Sequence, residues 1–238
     1  RPFIKTNIYF DKNLNENQYQ IPKIFSDPKI NNRVITVSGL GSRSGLTTLM
    51  LNSMPDLNML EAGAQCFPLK LYDREEMGEG LFANLSKSKN YVVSDGITDE
   101  GLKHFQKNYP KHKFVKEDLF YYVYGILHST EYRERFKNNF SKELPRIPAV
   151  KNFQDFIDFS KAGRELGDLH INYETINPFK VTFNKSFQKP RKNSVAKSFY
   201  YVKKMKFSGK QSNPDKTTVI YNNNITIQNI PLEAYEYV

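Results

Sequence analysis

The chain has 238 residues, 39% of them hydrophobic and 14% aromatic, with a net charge of +10 and an isoelectric point near 9.4. That length suits one large domain or two small ones, and the composition excludes a disordered chain. No apolar run approaches a membrane span and nothing in the sequence reads as a signal peptide, so no membrane partner is expected, while the basic charge favours a polyanion.

Residues 1–38 read as β-rich, with Ile8-Tyr9-Phe10 and Val34-Ile35-Thr36-Val37 as strand candidates separated by an Asn/Lys/Pro-rich loop. Phe67 to Tyr72 is a further strand candidate, and Asp56-Leu57 reads as the start of a short helix. The polar stretch from Tyr72 to Asp95 reads as a loop or insertion. A helical block follows. Thr98 can cap a helix with Asp99 and Glu100 in its first turn; Leu102, Phe105 and Tyr109 continue it and Pro110 stops it. In the next helix Leu119, Phe120, Val123, Ile126 and Leu127 share one face. Ser129 or Thr130 can cap a third, which carries Tyr132, Phe136 and Phe140. Pro145 and Pro148 force an extended exit. The spacing predicts a fourth helix from the N-cap Asn152 to Gly167. Strand character returns in Ser198–Phe207, where Phe199, Tyr201, Met205 and Phe207 alternate with Lys204 and Lys206. A hairpin is expected about Asn222-Asn223-Asn224, because Asn tolerates positive φ. The expected fold class is α+β, a mixed or antiparallel sheet from residues 1–72 and 180–230 with a central helical block, in one domain over 1–238.

Between Glu174 and Asp215 no acidic residue occurs. That stretch holds Lys180, Lys185, Lys189, Arg191, Lys192, Lys197, Lys203, Lys204, Lys206 and Lys210, which together equal the formal excess of the whole chain. Interleaved aromatics (Phe183, Phe187, Phe199, Tyr200, Tyr201, Phe207) can anchor such a segment to a core, so it reads as an interaction surface rather than a tail. Ser38-Gly39-Leu40-Gly41-Ser42-Arg43-Ser44-Gly45 follows a strand but has the wrong glycine spacing for a dinucleotide fingerprint. Two readings stay open there. One is a structural Gly/Ser turn. The other is a DNA-contacting loop whose small residues admit a phosphate and whose Arg43 can fork onto guanine.

No catalytic constellation emerges. Asn177-Pro178-Phe179 is one proline short of an amino-methyltransferase loop, and Pro55-Asp56 has no Glu-x-Lys to complete a nuclease site. His104, His112, His128 and His170 show no metal-ligand spacing with one another or with Cys66. A packing or capping role fits His128 at its helix end. The carboxylate pairs sit in a loop or in first helical turns, where solvation or the helix dipole explains them. The single cysteine excludes an internal disulfide and fits a reducing cytoplasm. A chain opening at Arg1 and closing at Ala234-Tyr235-Glu236-Tyr237-Val238 is expected to be a fragment of a larger multidomain enzyme.

Five blocks in order carry a resemblance: ITVSGLGSRSGL from Ile35, MPDLNMLEAGAQCFPL from Met54, KEDLFYYVYGILHSTEYRERF from Lys116, the following KNNFSKELPRIP, and AGRELGDLHINYE from Ala162. Together they resemble the C-terminal specificity (target-recognition) domain of the Type ISP single-polypeptide restriction–modification enzymes. A shorter form of LHSTEYRERF…PRIP also occurs in Type IIG methyltransferase–endonucleases. The resemblance implies a module that recognises double-stranded DNA in the cytoplasm for defence against foreign DNA. It also implies a partner methyltransferase domain in the same polypeptide, with S-adenosylmethionine, ATP and Mg serving the parent enzyme and no cofactor in this part. The DNA-binding residues expected are Ser42, Arg43, Ser44, Lys189, Arg191, Lys192, Asn193, Lys197, Lys203, Lys204, Lys206 and Lys210; no catalytic or metal residue is expected. The alternatives are a freestanding nucleic-acid-processing enzyme and an RNA-binding or scaffold module that stacks bases on the aromatic–basic segment.

Overall fold

A computed structural model describes residues 4–74, 91–184 and 199–237. The chain divides into two units, Arg1–Ile176 and Asn177–Val238. In chain order the elements are α1 (Ile21–Ile24), β1 (Val34–Val37), β2 (Thr48–Leu51), β3 (Gln65–Pro68), β4 (Lys70–Arg74), β5 (Tyr91–Asp95), α2 (Asp99–Gln106), α3 (Lys116–His128), α4 (Thr130–Phe136) and α5 (Phe153–Ile171), followed in the second unit by β6 (Thr182–Phe183), β7 (Lys206–Lys210), β8 (Asn213–Ile220), β9 (Thr226–Gln228) and α6 (Ala234–Tyr237). The class is α+β, and every strand pairing among the described residues is antiparallel. The strands form three sheets, ordered β2-β1-β3, β4-β5 and β6-β9-β8-β7. Among the described residues, strands from the two ends of the chain therefore lie in separate sheets, where the sequence pattern predicts a shared one. Among the described residues no helix is long and apolar enough to cross a membrane.

β1 lies between β2 and β3 and is buried on both faces, which is why Val34-Ile35-Thr36-Val37 runs without polar alternation. Its one hydroxyl is satisfied inside: Thr36 Oγ1 donates to the Leu49 carbonyl at 2.8 Å. The single strand predicted over Phe67–Tyr72 is two strands. They meet at Leu69, whose N–H donates to Arg33 O at 2.8 Å and whose carbonyl accepts from Gly96 N at 2.9 Å, so the chain passes from one sheet to the next there. Ile8-Tyr9-Phe10 is not a strand: Ile8 and Tyr9 stand exposed, and among the described residues no backbone pairs with them in a ladder. Asp56-Leu57 opens a turn rather than a helix, with Asp56 accepting from the Asn58 amide at 2.8 Å.

The helical block packs around α3. Thr98 caps α2 through the Gly101 N–H at 3.1 Å, and Ser129 caps α4 through the Tyr132 N–H at 3.4 Å. α2 ends at Gln106, short of Pro110, and Tyr109 reaches the core from the turn beyond it. α4 ends at Phe136, and Phe140 still packs on Tyr132 with centroids 5.7 Å apart. α3 is buried on more than the one expected face, because Tyr121, Tyr122 and Tyr124 are also inside. Buried tyrosines need partners for their hydroxyls. The extended, proline-bearing segment 145–150 supplies several. Tyr132 donates to Arg146 O at 2.9 Å, Tyr122 to Pro148 O at 2.5 Å and Tyr109 to Val150 O at 2.6 Å. Carbonyls at alternate residues of an extended chain point the same way. Three tyrosines thus hold in place a segment whose prolines cannot donate to a ladder.

α3 and α5 cross with backbone against backbone. A Cβ on Gly163 would stand 2.1 Å from the Tyr121 carbonyl oxygen, and one on Gly125 would stand 2.3 Å from the Phe159 oxygen. Beside this crossing Ser160 Oγ donates to Asp118 O at 2.8 Å. The pattern predicts that Gly167 ends α5, but the helix runs on to Ile171, and a Cβ at Gly167 would meet the Met50 sulfur at 2.5 Å. Helix propensity favours alanine over glycine by about 1 kcal/mol. Forced overpacking costs about 1–3 kcal/mol, and here a main-chain atom would have to move. Gly163→Ala is therefore expected to destabilise by up to about 2 kcal/mol net in chemical denaturation. A variant more stable than the parent would contradict this crossing.

Candidate nucleic-acid interface

The first candidate element is the loop 38–47, which joins β1 to β2. Its base is closed by Ser38, whose N–H donates to Thr47 O at 2.9 Å and whose hydroxyl donates to Gly45 O and accepts from Thr47 N at 2.9 and 3.0 Å. Gly41 and Gly45 hold φ of 83° and 75°, a region glycine enters without strain. Gly39 lies against the turn 61–63: its N–H donates to Glu61 O at 3.0 Å, and a Cβ there would meet Ala62 O at 1.8 Å. The Glu61 carboxylate then reaches the far side of the loop. It accepts from the Ser44 N–H at 2.8 Å and the Ser42 hydroxyl at 3.0 Å. The Ser44 backbone amide, then the Ser44 and Ser42 hydroxyls, hold this carboxyl down to about 2. Between the two serines Arg43 stands exposed at the tip.

This geometry refines the expectation for Ser42, Arg43 and Ser44. The Ser44 amide and the Ser42 hydroxyl already serve a carboxylate, which occupies the donors that a phosphate would need. The guanidinium of Arg43 is what the loop presents outward. Residue spacing gave no sign of Glu61, because its partners lie 17 and 19 residues away.

The second candidate element lies in the second unit. Lys189, Arg191, Lys192, Asn193 and Lys197 fall outside the described residues. Lys203, Lys204, Lys206 and Lys210 are all exposed. The predicted strand over Ser198–Phe207 begins only at Lys206, so Lys203 and Lys204 precede the ladder instead of alternating within it. β7 and β8 form a hairpin whose register shifts between Phe207 and Ser208, and Gly209 sits at φ 82° next to its turn. Asn222 organises the approach to it. Its Oδ1 accepts from the amides of Asn224 and Ile225 at 2.8 and 2.9 Å, while its Nδ2 donates to Phe199 O at 2.8 Å. The expected turn at 222–224 is thus made by a side chain mimicking backbone, and the asparagine of positive φ among the described residues is Asn229. Tyr201 and Met205, exposed by 65% and 57%, stand among the lysines. That mixture suits contact with a sugar–phosphate backbone better than with water alone.

Several of the other titratable groups among the described residues have structural partners. Asp118 caps α3 by accepting from Val115 N at 3.0 Å, Glu117 pairs with Arg164 at 2.7 Å, and Lys116 bridges Asp99 at 2.5 Å and Asp95 at 3.5 Å. His128 is packed, as its helix-end position predicts: its ring lies 4.7 Å from that of Tyr124. His170 is hydrogen-bonded through Nδ1 to the Tyr124 hydroxyl. Burial pushes the Cys66 thiol up to about 11, which favours its protonated form at neutral pH.

The Type ISP C-terminal specificity domain family matches residues 1–238, and the chain belongs to that family. Comparison with curated proteins finds no match. Among solved structures the chain is similar to the ATP-dependent Type ISP restriction–modification enzyme LlaBIII bound to DNA, with 33% identity, a TM-score of 0.77 and 100% of this chain covered against 14% of that one. It is also similar to a nuclease-deletion mutant of the Type ISP restriction–modification enzyme LlaGI in complex with a DNA substrate mimic, at 33% identity and TM-score 0.70, covering 100% of this chain and 18% of that one. A DrdV–DNA complex matches at 30% identity and TM-score 0.74, over 97% of this chain and 21% of that one. The chain therefore spans less than a quarter of each of these relatives.

Proposed function

We propose that this chain selects a target sequence in double-stranded DNA for a restriction–modification enzyme and contributes no catalytic group of its own. The observation that carries the reading is the match along the whole chain to enzymes solved on DNA or on a DNA mimic. The exposed Arg43 tip and the acid-free basic segment supply the two kinds of contact required. Arginine forks onto the O6 and N7 of guanine, and lysines neutralise phosphates. The methyltransferase domain of the same polypeptide would hold the other side of the duplex, so that the site chosen here is either methylated or left to trigger translocation and cleavage in the cytoplasm. S-adenosylmethionine, ATP and Mg2+ are assigned to those other parts.

Arg43→Ala, in the full chain, is expected to cost about 1–3 kcal/mol of discrimination between the selected site and a scrambled duplex at fixed salt. The same comparison applied to Arg191→Ala separates a base reader from a phosphate contact. Equal losses on both duplexes would remove the residue from the readers.

A further inference from the structure

Resting on that reading of Arg43, we propose that Glu61 is a positioning residue for sequence recognition: by latching Ser42 and Ser44 it fixes the direction in which Arg43 meets the base pairs. Three observations converge. The carboxylate takes one donor on each side of Arg43, at 3.0 and 2.8 Å, so the arginine backbone is held at both flanks. The turn that carries Glu61 is itself seated on the loop through Gly39, where no side chain could fit. Glu61 is also a negative charge in a loop proposed to meet a polyanion. A loop built for affinity alone would leave the Ser44 amide and Ser42 hydroxyl open to phosphate, which binds whatever the sequence. Filling them with a carboxylate sacrifices sequence-independent attraction and leaves a rigid, directional guanidinium. Bidentate contacts need that rigidity, because a fork that swings loses its second hydrogen bond.

The test compares wild type, Arg43→Ala, Glu61→Ala, Glu61→Gln and the Arg43→Ala/Glu61→Ala double variant in the full chain, each on the selected site and on a scrambled duplex. The readout is the ratio of the two affinities. Arg43→Ala and Glu61→Ala are each expected to lower the ratio by about tenfold, and the double variant no further. Glu61→Gln keeps one acceptor oxygen and the shape, so its ratio falls between; it also serves if Glu61→Ala does not fold. Scrambled-duplex affinity stays the same or rises in Glu61→Ala, since a repelling charge has gone. The Ser44 amide exchanges its hydrogen faster in Glu61→Ala, and the ratio of affinities falls with it, whereas a merely structural loss would lower both affinities together and leave the ratio unchanged. If Arg43→Ala lowers the ratio and Glu61→Ala leaves it unchanged, or lowers both affinities equally, the positioning role is wrong and the reading of Arg43 stands. If Arg43→Ala itself leaves the ratio unchanged, that reading fails and takes the positioning role with it.

Discussion

Raising salt from 50 to 200 mM is expected to weaken duplex DNA binding by about a thousandfold, because each phosphate neutralised releases condensed counterions and six such contacts give a loss of that order. The basic segment from Lys180 to Lys210 has more than enough cations to supply them. The triple variant Lys203→Ala/Lys204→Ala/Lys206→Ala should flatten the plot of log K against log salt by about 0.9 for each lysine, near 2.7 in all. All three are exposed, and they sit beside the hairpin β7–β8 on a segment tied down by Asn222, so they lie on a fixed surface rather than a free tail. Because such contacts ignore sequence, affinity for the selected and the scrambled duplex should fall together. Titrations at four or five salt concentrations check this. An unchanged slope would mean that these lysines face away from DNA.

Acidification from pH 7 to pH 5 is expected to destabilise the first unit. Burial holds the His170 imidazole down to about 4. His128 is held down to about 3, first by burial and then by Arg133 and His170. Its Nε2 is buried without a hydrogen-bond partner among the described residues. Both values lie below the ordinary 6.5, so the unfolded chain binds protons in a range where the folded chain does not. The stability these rings support is complete above about pH 6.5 and is lost as pH falls from there through the folded values. Each imidazole contributes about 1.4 kcal/mol per pH unit in that window, so the pair together loses on the order of 4 kcal/mol by pH 5. The acids with depressed values, Glu61, Asp95, Asp99 and Asp215, begin to withdraw support only below their ordinary range near 4, which leaves the window to histidine. Unfolding free energies at pH 7 and pH 5 measure the loss. His128→Phe should flatten part of it, since an apolar ring leaves no orphaned nitrogen. A flat profile in the parent chain would contradict the burial of both rings.

The helices were legible where local chemistry decides them. Thr98 and Ser129 cap as their positions predict, and the apolar spacing of α3 and α5 marks both helices. What failed was decided by distant partners. Gly167 has the look of a helix end, yet its role is to admit Met50, a contact no window around residue 167 contains. The break at Leu69 comes from Arg33 and Gly96, far along the chain in both directions. Tyr121, Tyr122 and Tyr124 break the apolar face of α3 in the sequence. They are buried because Arg33, the 145–150 segment and His170 satisfy their hydroxyls. At the candidate site the same division holds. The glycines and Arg43 were visible as a turn with a basic residue at its tip, but Glu61 was not, because its contact with Ser42 and Ser44 depends on where its loop folds and not on spacing.

The most direct measurement is selection of bound duplexes from a random pool by the full-length polypeptide, carried through several rounds at physiological salt. One short asymmetric duplex site should be enriched, and Arg43→Ala should relax the preference at one base pair of it while the remaining positions persist. Enrichment of no sequence, or a stronger preference for single-stranded DNA or RNA than for any duplex, would contradict a target-recognition role.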